Sequence, residues 1–455
     1  MIKTDKIRSV GTKYHSKLAI PISLLVTILL LFTFQTANAQ NLKIYHIDVE
    51  QADATLIISP SGKTLLIDSG KNGHGSRIKA VMQDVGVSRI DYFVCTHYHE
   101  DHYGGIDDLA NDSEITIGEV YDRGDKDFIP ASKRNGKTYK DYQSAVGNRA
   151  EQLKRGETIP LDDAMSITCI AHGGVVLHEL DPPETGDDEN TMSVALFIQY
   201  GDFRYFIGGD IEQTTENKIA ERDLVLDVDV YQADHHGSDT SSAIEFMEDL
   251  KPAVIIISNG NNGTYKHPRQ STLNNYNELD PKPMVFQTNK YLKGGVGGNV
   301  ADEFIADLET VDEDGTILVS VDETVGTYTV SYRDLSRTFQ IKDRGHQSSA
   351  VVIESLLPNP DGSDRINEEV MLRNDFGSAV SMTGWILEDE SGRIWALVSL
   401  GSINPGQSVA IRRSGMPMSL DNDGDEISLF NASHQLVDRF SYSGSQRGVW
   451  IQTGH

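Results

Sequence analysis

Three histidines and an aspartate fall within six residues at His97-Tyr98-His99-Glu100-Asp101-His102, directly after the apolar run Ile90-Asp91-Tyr92-Phe93-Val94-Cys95 and Thr96. Imidazole nitrogens are the commonest protein ligands for zinc, and a carboxylate beside them adds a hard anionic oxygen. A turn of this spacing aims His97 and His99 at one cation and turns Asp101 and His102 toward a second one a few ångströms away. Paired divalent cations suit hydrolysis, because water held between them ionises near neutral pH. A strand must deliver that turn to a sheet edge, and the apolar run before Thr96 is long enough to do so.

Other runs match in order along the chain. Thr64-Leu65-Leu66-Ile67-Asp68-Ser69-Gly70 reads as a strand ending in Asp-x-Gly, Tyr205-Phe206-Ile207-Gly208-Gly209-Asp210 as a strand delivering an aspartate, and Asp234-His235-His236-Gly237-Ser238 as a histidine turn. Together with the histidine cluster these resemble the metallo-beta-lactamase superfamily. The resemblance implies that Asp68 orients a ligand histidine from behind, that Asp210 bridges the two metals, and that one of His235 and His236 is the last ligand. The other member of that pair would face the cleft, to polarise the scissile bond or protonate a leaving group. Catalytic roles then fall on Asp101, His235 and His236.

Within the superfamily, Tyr45-His46-Ile47-Asp48-Val49-Glu50-Gln51-Ala52-Asp53-Ala54-Thr55-Leu56 is similar to the opening of the hydrolase domain of competence (DNA-uptake) channel proteins, with Glu50 and Ala52 in place of two glycines. Glu189-Asn190-Thr191-Met192-Ser193-Val194 and Tyr265-Lys266-His267-Pro268 fit the same subgroup, and the resemblance covers roughly residues 41 to 300. The superfamily usually places a third histidine on the first metal. Here His172 and His178 are the candidates, with Asn190 as a weaker ligand or a donor behind the metal, Ser193 beside it and His267 at the substrate. The implied cofactors are two divalent ions, zinc first, with manganese the alternative if no third histidine binds.

The leader residues Lys3, Lys6, Arg8, Lys13 and Lys17, the apolar run Leu18 to Phe34 and Ala37-Asn38-Ala39 predict a signal peptide over 1–39, cleaved before Gln40. The protein is then secreted or periplasmic, with no stable membrane anchor after cleavage. Cleavage takes the net charge from -28 to about -32, which repels polyanions at long range. Against that background, residues 122–155 hold nine basic and five acidic residues, including Lys133, Arg134 and Lys137, with Tyr139 and Tyr142 between them. Such a wall would bind a nucleotide or phosphodiester by charge pairing and base stacking. Cys95 and Cys169 both lie in apolar strand-like runs and read as small buried hydrophobes.

The fold class expected is α/β, a four-layer αββα metallo-beta-lactamase sandwich over 40–303. A hairpin extension follows at 304–343, built from Thr316-Ile317-Leu318-Val319-Ser320-Val321 and Thr327-Tyr328-Thr329-Val330-Ser331-Tyr332, and then a linker at 344–349. From 350 to 455, strands broken by Pro358-Asn359-Pro360-Asp361-Gly362 and Asn404-Pro405-Gly406 predict an all-β immunoglobulin-like sandwich. Its Asn367-Glu368-Glu369-Val370-Met371-Leu372-Arg373-Asn374 and Met382-Thr383-Gly384-Trp385-Ile386-Leu387 runs resemble a lamin-tail domain, which implies a module binding a surface, a protein or nucleic acid.

The function expected is a secreted metal-dependent phosphodiesterase or nuclease acting on extracellular DNA or nucleotides, its nucleophile the hydroxide of a dinuclear centre. The rivals are a hydrolase of a lactam, lactone or choline-phosphate ester, and a non-catalytic surface-binding protein.

Overall fold

The computed structural model describes residues 41–124, 135–177, 179, 188–310, 314–342, 351–374, 379–431 and 436–453. The leader over 1–39, Lys126, Lys133, Arg134, His178 and the linker 344–349 lie outside the described residues. Among the described residues no helix is long and apolar enough to cross a membrane.

Strand periodicity builds the layers. Successive residues of a strand point to opposite faces, so an apolar run can feed two cores at once. In Thr64–Ile67, Leu65 and Ile67 enter the core between the sheets, while Leu66 enters the core under the outer helices. Val94 and its neighbours Phe93 and Cys95 divide in the same way. The inter-sheet core is completed from the second sheet by Ile167, Cys169, Leu196, Ile198, Tyr205 and Ile207. A third core, with Phe206, Tyr231, Phe246 and Ile255, lies on the outer face of the second sheet. This is the four-layer αββα arrangement. Cys95 and Cys169 sit in different cores as free, buried thiols.

In the first sheet the strand Leu42–His46 pairs with Thr55–Ile58 on one side and with Ile317–Asp322 on the other, Ile44 lying opposite Val319. The expected hairpin is therefore part of the main sheet, and a third strand, Leu335–Gln340, extends it. Thr64–Ile67 and Arg89–Cys95 run parallel, Ile67 opposite Val94, so Asp68 and Thr96 leave the sheet at the same end. In the second sheet Phe203–Ile207 pairs in parallel with Val230–Gln232, which brings Asp210 and the Asp234–Gly237 turn to one edge. Parallel strands put both crossover loops at the carboxyl ends of the strands, where ligand sites of such sheets form.

From Val351 onward the chain is strand-rich. Four-stranded sheets built on Glu369–Asn374 and on Asp425–Phe430 enclose Trp385, Trp395, Leu372, Leu387 and Leu429. Trp395 is fully buried and its indole N–H donates to the Met418 carbonyl at 2.8 Å, which satisfies the one polar atom it carries inward.

Candidate metal centre

The histidine turn is fixed from behind by Asp68. This residue adopts a left-handed conformation (φ 58°), which Asp tolerates better than most side chains. Its Oδ1 accepts from Thr96 N at 2.8 Å and its Oδ2 from Thr96 Oγ1 at 2.7 Å. Oδ2 also lies 2.7 Å from His102 Nδ1. His102 Nδ1 is therefore the donor to Asp68, and Nε2 is the nitrogen turned to the cleft.

His235 and His236 are consecutive left-handed residues (φ 51° and 55°), a strained pair for side chains bearing a Cβ. His235 N donates to Gly209 O, Ser238 N to His235 O, and Asp234 N to Tyr231 Oη, which together hold the turn. The twist sends the two rings apart. His236 Nδ1 donates to Ser258 O at 3.0 Å, leaving its Nε2 3.8 Å from Asp210 Oδ1 and 3.7 Å from Asp101 Oδ2. His235 Nδ1 lies 3.1 Å from Thr240 Oγ1, and its Nε2 is 3.4 Å from Asn190 Nδ2 and 3.7 Å from Asp210 Oδ2.

Asp210 follows Gly209, whose φ is +61° and on which a Cβ would come within 2.8 Å of Thr96. Only glycine allows that approach, and it is what sets Asp210 against the histidine turn. Ser193 Oγ accepts from Asp210 N at 3.2 Å and steadies it.

Among the described residues two sets of donor atoms converge, each within 4.8 Å of one another: His97, His99 and Asp210, and Asp53, His102, Asp210 and His236. Asp210 belongs to both. Within the second set His102 Nε2, His236 Nε2, Asp210 Oδ1 and Asp53 Oδ2 are buried without a hydrogen-bond partner. A buried polar atom left unmade costs about 1–3 kcal/mol. Four such atoms facing one another fit a divalent cation, which would satisfy all of them at once.

The charges of the cluster offset one another. Burial alone would raise the Asp210 carboxyl, yet His102, His235 and His236 hold it well below the usual carboxylate range. Burial would lower His102, but Asp210 and Asp68 outweigh it and push the ring well up. His236 is pushed up to about 9 because Asp53, Asp210 and Asp101 overcome its burial. His97 stays well below the ordinary value, through burial and then the neighbouring His102.

The remaining candidates divide. His172 ends the strand Met165–His172, buried, and its Nδ1 accepts from Arg155 N at 3.4 Å; it belongs to neither donor set. Asn190 contacts His235, and its Oδ1 is buried and without a hydrogen-bond partner. His267 faces the site, its ring 5.4 Å from that of His235, and burial followed by the charges of His236 and His235 lowers it to about 3. Lys137 begins the helix Lys137–Val146 and pairs with Asp141 four residues on.

Tyr139 and Tyr142 do not face solvent. They pack at 2% and 1% exposure with Tyr98 and Tyr103, and Tyr142 Oη donates to Asp122 Oδ2 at 3.0 Å. Base stacking on these rings is excluded, because their three-residue spacing puts both on the inner face of the helix. Arg123, counted with the basic segment, is likewise buried, and its Nε and Nη2 meet Glu189 at 2.7 and 2.8 Å.

Residues 47–258 match the family model of the metallo-beta-lactamase superfamily, and residues 344–444 match that of the Lamin Tail Domain. The chain carries a metallo-beta-lactamase domain and a lamin tail domain. Among curated relatives, ComE operon protein 3 of Bacillus subtilis strain 168 is 24% identical over 268 residues, covering 54% of this chain and 31% of that protein. Recombination protein 2 of Haemophilus influenzae is 25% identical over 254 residues, covering 54% of this chain and 28% of its own length. The chain thus spans less than a third of the length of these relatives. Zinc-bound PqqB from Methylobacterium extorquens is a similar solved structure, at 15% identity, 52% coverage of this chain, 85% of that one and a TM-score of 0.35.

Asp53 in the metallo-beta-lactamase domain was not expected as a donor. Sequence reading placed it only within a strand-and-turn motif. The signal that could have found it is its position beside Ala52 and Ala54, an acidic residue between small apolar ones at the end of a turn.

Proposed function

We propose that the metallo-beta-lactamase domain is a two-metal hydrolase of phosphodiesters, acting on DNA or nucleotides outside the cytoplasm. The observation that carries this reading is the sharing of Asp210 between two converging donor sets. His97, His99 and Asp210 would hold one cation, and His102, His236 and Asp210 the other, with Asp101 at its edge. Such a pair, when bound, acidifies water and takes up charge on a phosphoryl oxygen.

The chain's own residues supply the rest. Asp68 and Ser258 engage the Nδ1 of His102 and of His236, so both rings turn Nε2 inward, where a cation would take the place of the proton. His235, at 18% exposure, is more accessible than His97, His102 and His236, and Thr240 and Asn190 orient it. Its place beside Asp210 suits it to hand a proton to the departing oxygen. His267, kept neutral, serves as a hydrogen-bonding wall for the substrate rather than as an acid.

The choice of phosphodiesters over lactams or lactones draws support from the relative named for recombination, a DNA process. With Tyr139 and Tyr142 buried, binding would rest on charge and the metal centre, and any contribution of Lys133 and Arg134 falls outside the described residues. The lamin tail domain would be the targeting module, and the basic-then-apolar leader supports export.

The test is hydrolysis of bis(p-nitrophenyl) phosphate and of linear DNA by chelated protein resupplied with zinc or manganese, beside Asp210→Ala. Metal-dependent turnover lost in the variant supports the reading. Absence of turnover on both substrates, with metal bound, would move it to esters or lactones.

A further inference from the structure

Among the described residues Tyr265 is the one Phe, Tyr or Trp ring that stands exposed, at 50%. Its neighbours connect it to the metal centre. The ring lies nearly parallel to that of His267, with 14° between planes and 6.3 Å between centres, and the His267 ring is in turn 5.4 Å from that of His235 and 6.3 Å from that of His236. A column of rings leads from the centre to solvent, and Tyr265 is its outer end.

The segment that carries this ring is braced. Asn262 Oδ1 accepts from Thr264 N and Tyr265 N at 2.8 and 3.2 Å, and Lys266 takes the left-handed region (φ 63°). Arg269 N donates to Gly237 O at 2.9 Å, which ties the segment to the histidine turn itself. A second loop is fastened alongside: Leu292 N donates to Asn261 Oδ1 at 2.9 Å, and Gln270 N to Val296 O at 3.0 Å. A ring whose backbone is fixed in this way loses little freedom when something settles on its face.

Two ammonium groups accompany it. The Lys293 stem lies against Gly263 and Lys266 Nζ against Gly295, so each lysine crosses to the other loop. Arg269 and Lys290 nearby are paired with Asp239 and Asp302, whereas Lys266 and Lys293 join no ion pair among the described residues. In a chain of net charge -28 these two cations reverse the field locally. A single exposed apolar side chain is ordinary. A braced ring beside a metal centre, flanked by uncompensated cations, has the makings of a single-strand site.

We propose that Tyr265 is the stacking platform for an unpaired nucleobase, with Lys266 and Lys293 pairing with phosphates of the same strand. The inference rests on the phosphodiester reading above and names what holds the strand beside the metals. A duplex hides its base faces, so the platform selects single strands or frayed ends. Every base has a face to stack, so it confers no strong sequence preference.

The test is fluorescence anisotropy of two labelled single strands of about ten nucleotides, one bearing thymine throughout and one abasic throughout. Zinc-supplied Asp210→Ala protein is the background, so that the strands stay uncut. Stacking predicts that the thymine strand binds about 10-fold tighter than the abasic one, that Tyr265→Ala removes the difference and that Tyr265→Phe keeps it. Lys266→Ala/Lys293→Ala should weaken both strands alike and lower the salt slope of log K by about 1.4, at about 0.7 for each phosphate contact. Equal binding of the two strands, binding of neither, or a base preference that survives Tyr265→Ala would overturn the platform. An unchanged salt slope would overturn the phosphate contacts. Tyr265 is exposed, so its replacement spares the core. Binding is read without turnover: a base preference without hydrolysis of bis(p-nitrophenyl) phosphate by the wild type sinks only the hydrolase reading, and hydrolysis without a base preference sinks only the platform.

Discussion

Glu189→Gln removes one charge from a pair that solvent cannot rescue. The Arg123 side chain is 0% exposed and that of Glu189 11%, and the guanidinium grips the carboxylate in two-pronged fashion at 2.7 and 2.8 Å. Arg123 also lies 4.5 Å from the Tyr98 ring centre, and Glu189 Oε1 accepts from Tyr98 N at 2.7 Å. The pair therefore binds the backbone between His97 and His99 to the segment that carries Asn190. Breaking a buried pair by removing one charge costs up to about 3–5 kcal/mol, and because Arg123 keeps its bond to the Gly124 carbonyl the loss falls toward the low end of that range. Replacing both members with apolar residues of similar volume removes the uncompensated guanidinium and recovers part of that loss, less the acceptor that Tyr98 N gives up. Urea unfolding of Glu189→Gln should show a midpoint lowered to match, with unchanged slope. The double variant Arg123→Met/Glu189→Leu should be less damaged than its single variants predict, with a coupling of at least about 2 kcal/mol. A loss below about 1 kcal/mol in Glu189→Gln, or additive single variants, would refute the claim that this pair locks the histidine turn.

Asp68→Asn should weaken metal binding by roughly 10–100-fold, because His102 loses the carboxylate that fixes its tautomer; competition titration against a chelator measures it. Tyr142→Phe should cost about 1 kcal/mol for the bond to Asp122 and leave KM for DNA unchanged, and a raised KM would restore the stacking role that burial excludes. Burial pushes Glu216 from an ordinary 4.5 up to about 7, next to Asp234, so the folded chain keeps a proton that the unfolded chain has released. Its share of stability is therefore whole below about pH 4.5 and declines as pH rises toward 7; Glu216→Gln should flatten that decline in denaturation curves taken across the range.

What the sequence disclosed follows chain distance. His97, His99, Asp101 and His102 fall within one short turn, and their chemistry shows in their spacing. Asp68 and Asp210 were readable because each ends an apolar strand. Asp53 and Gln232 meet across 179 residues, and Arg123 and Glu189 across 66, and such pairings arise only from sheet order. Tyr139 and Tyr142 looked like surface residues because charges flank them, yet helical spacing turns them inward. Of His235 and His236, only the backbone twist decides which ring joins the second donor set, and no residue type announces that twist. The layered α/β architecture and the strand-rich C-terminal part were legible because alternation and turn residues are local signals.

Asp53, Asp68 and the histidine turn leave the first sheet, whereas Asp210 and His236 leave the second. Neither sheet owns the centre. A cation bound there would act as a rivet through the mouth of the sandwich, and its binding energy would be shared as resistance to opening by both halves. Slowed amide exchange on metal loading should therefore reach Leu65–Ile67 and Tyr205–Ile207 together, two strands that belong to different sheets.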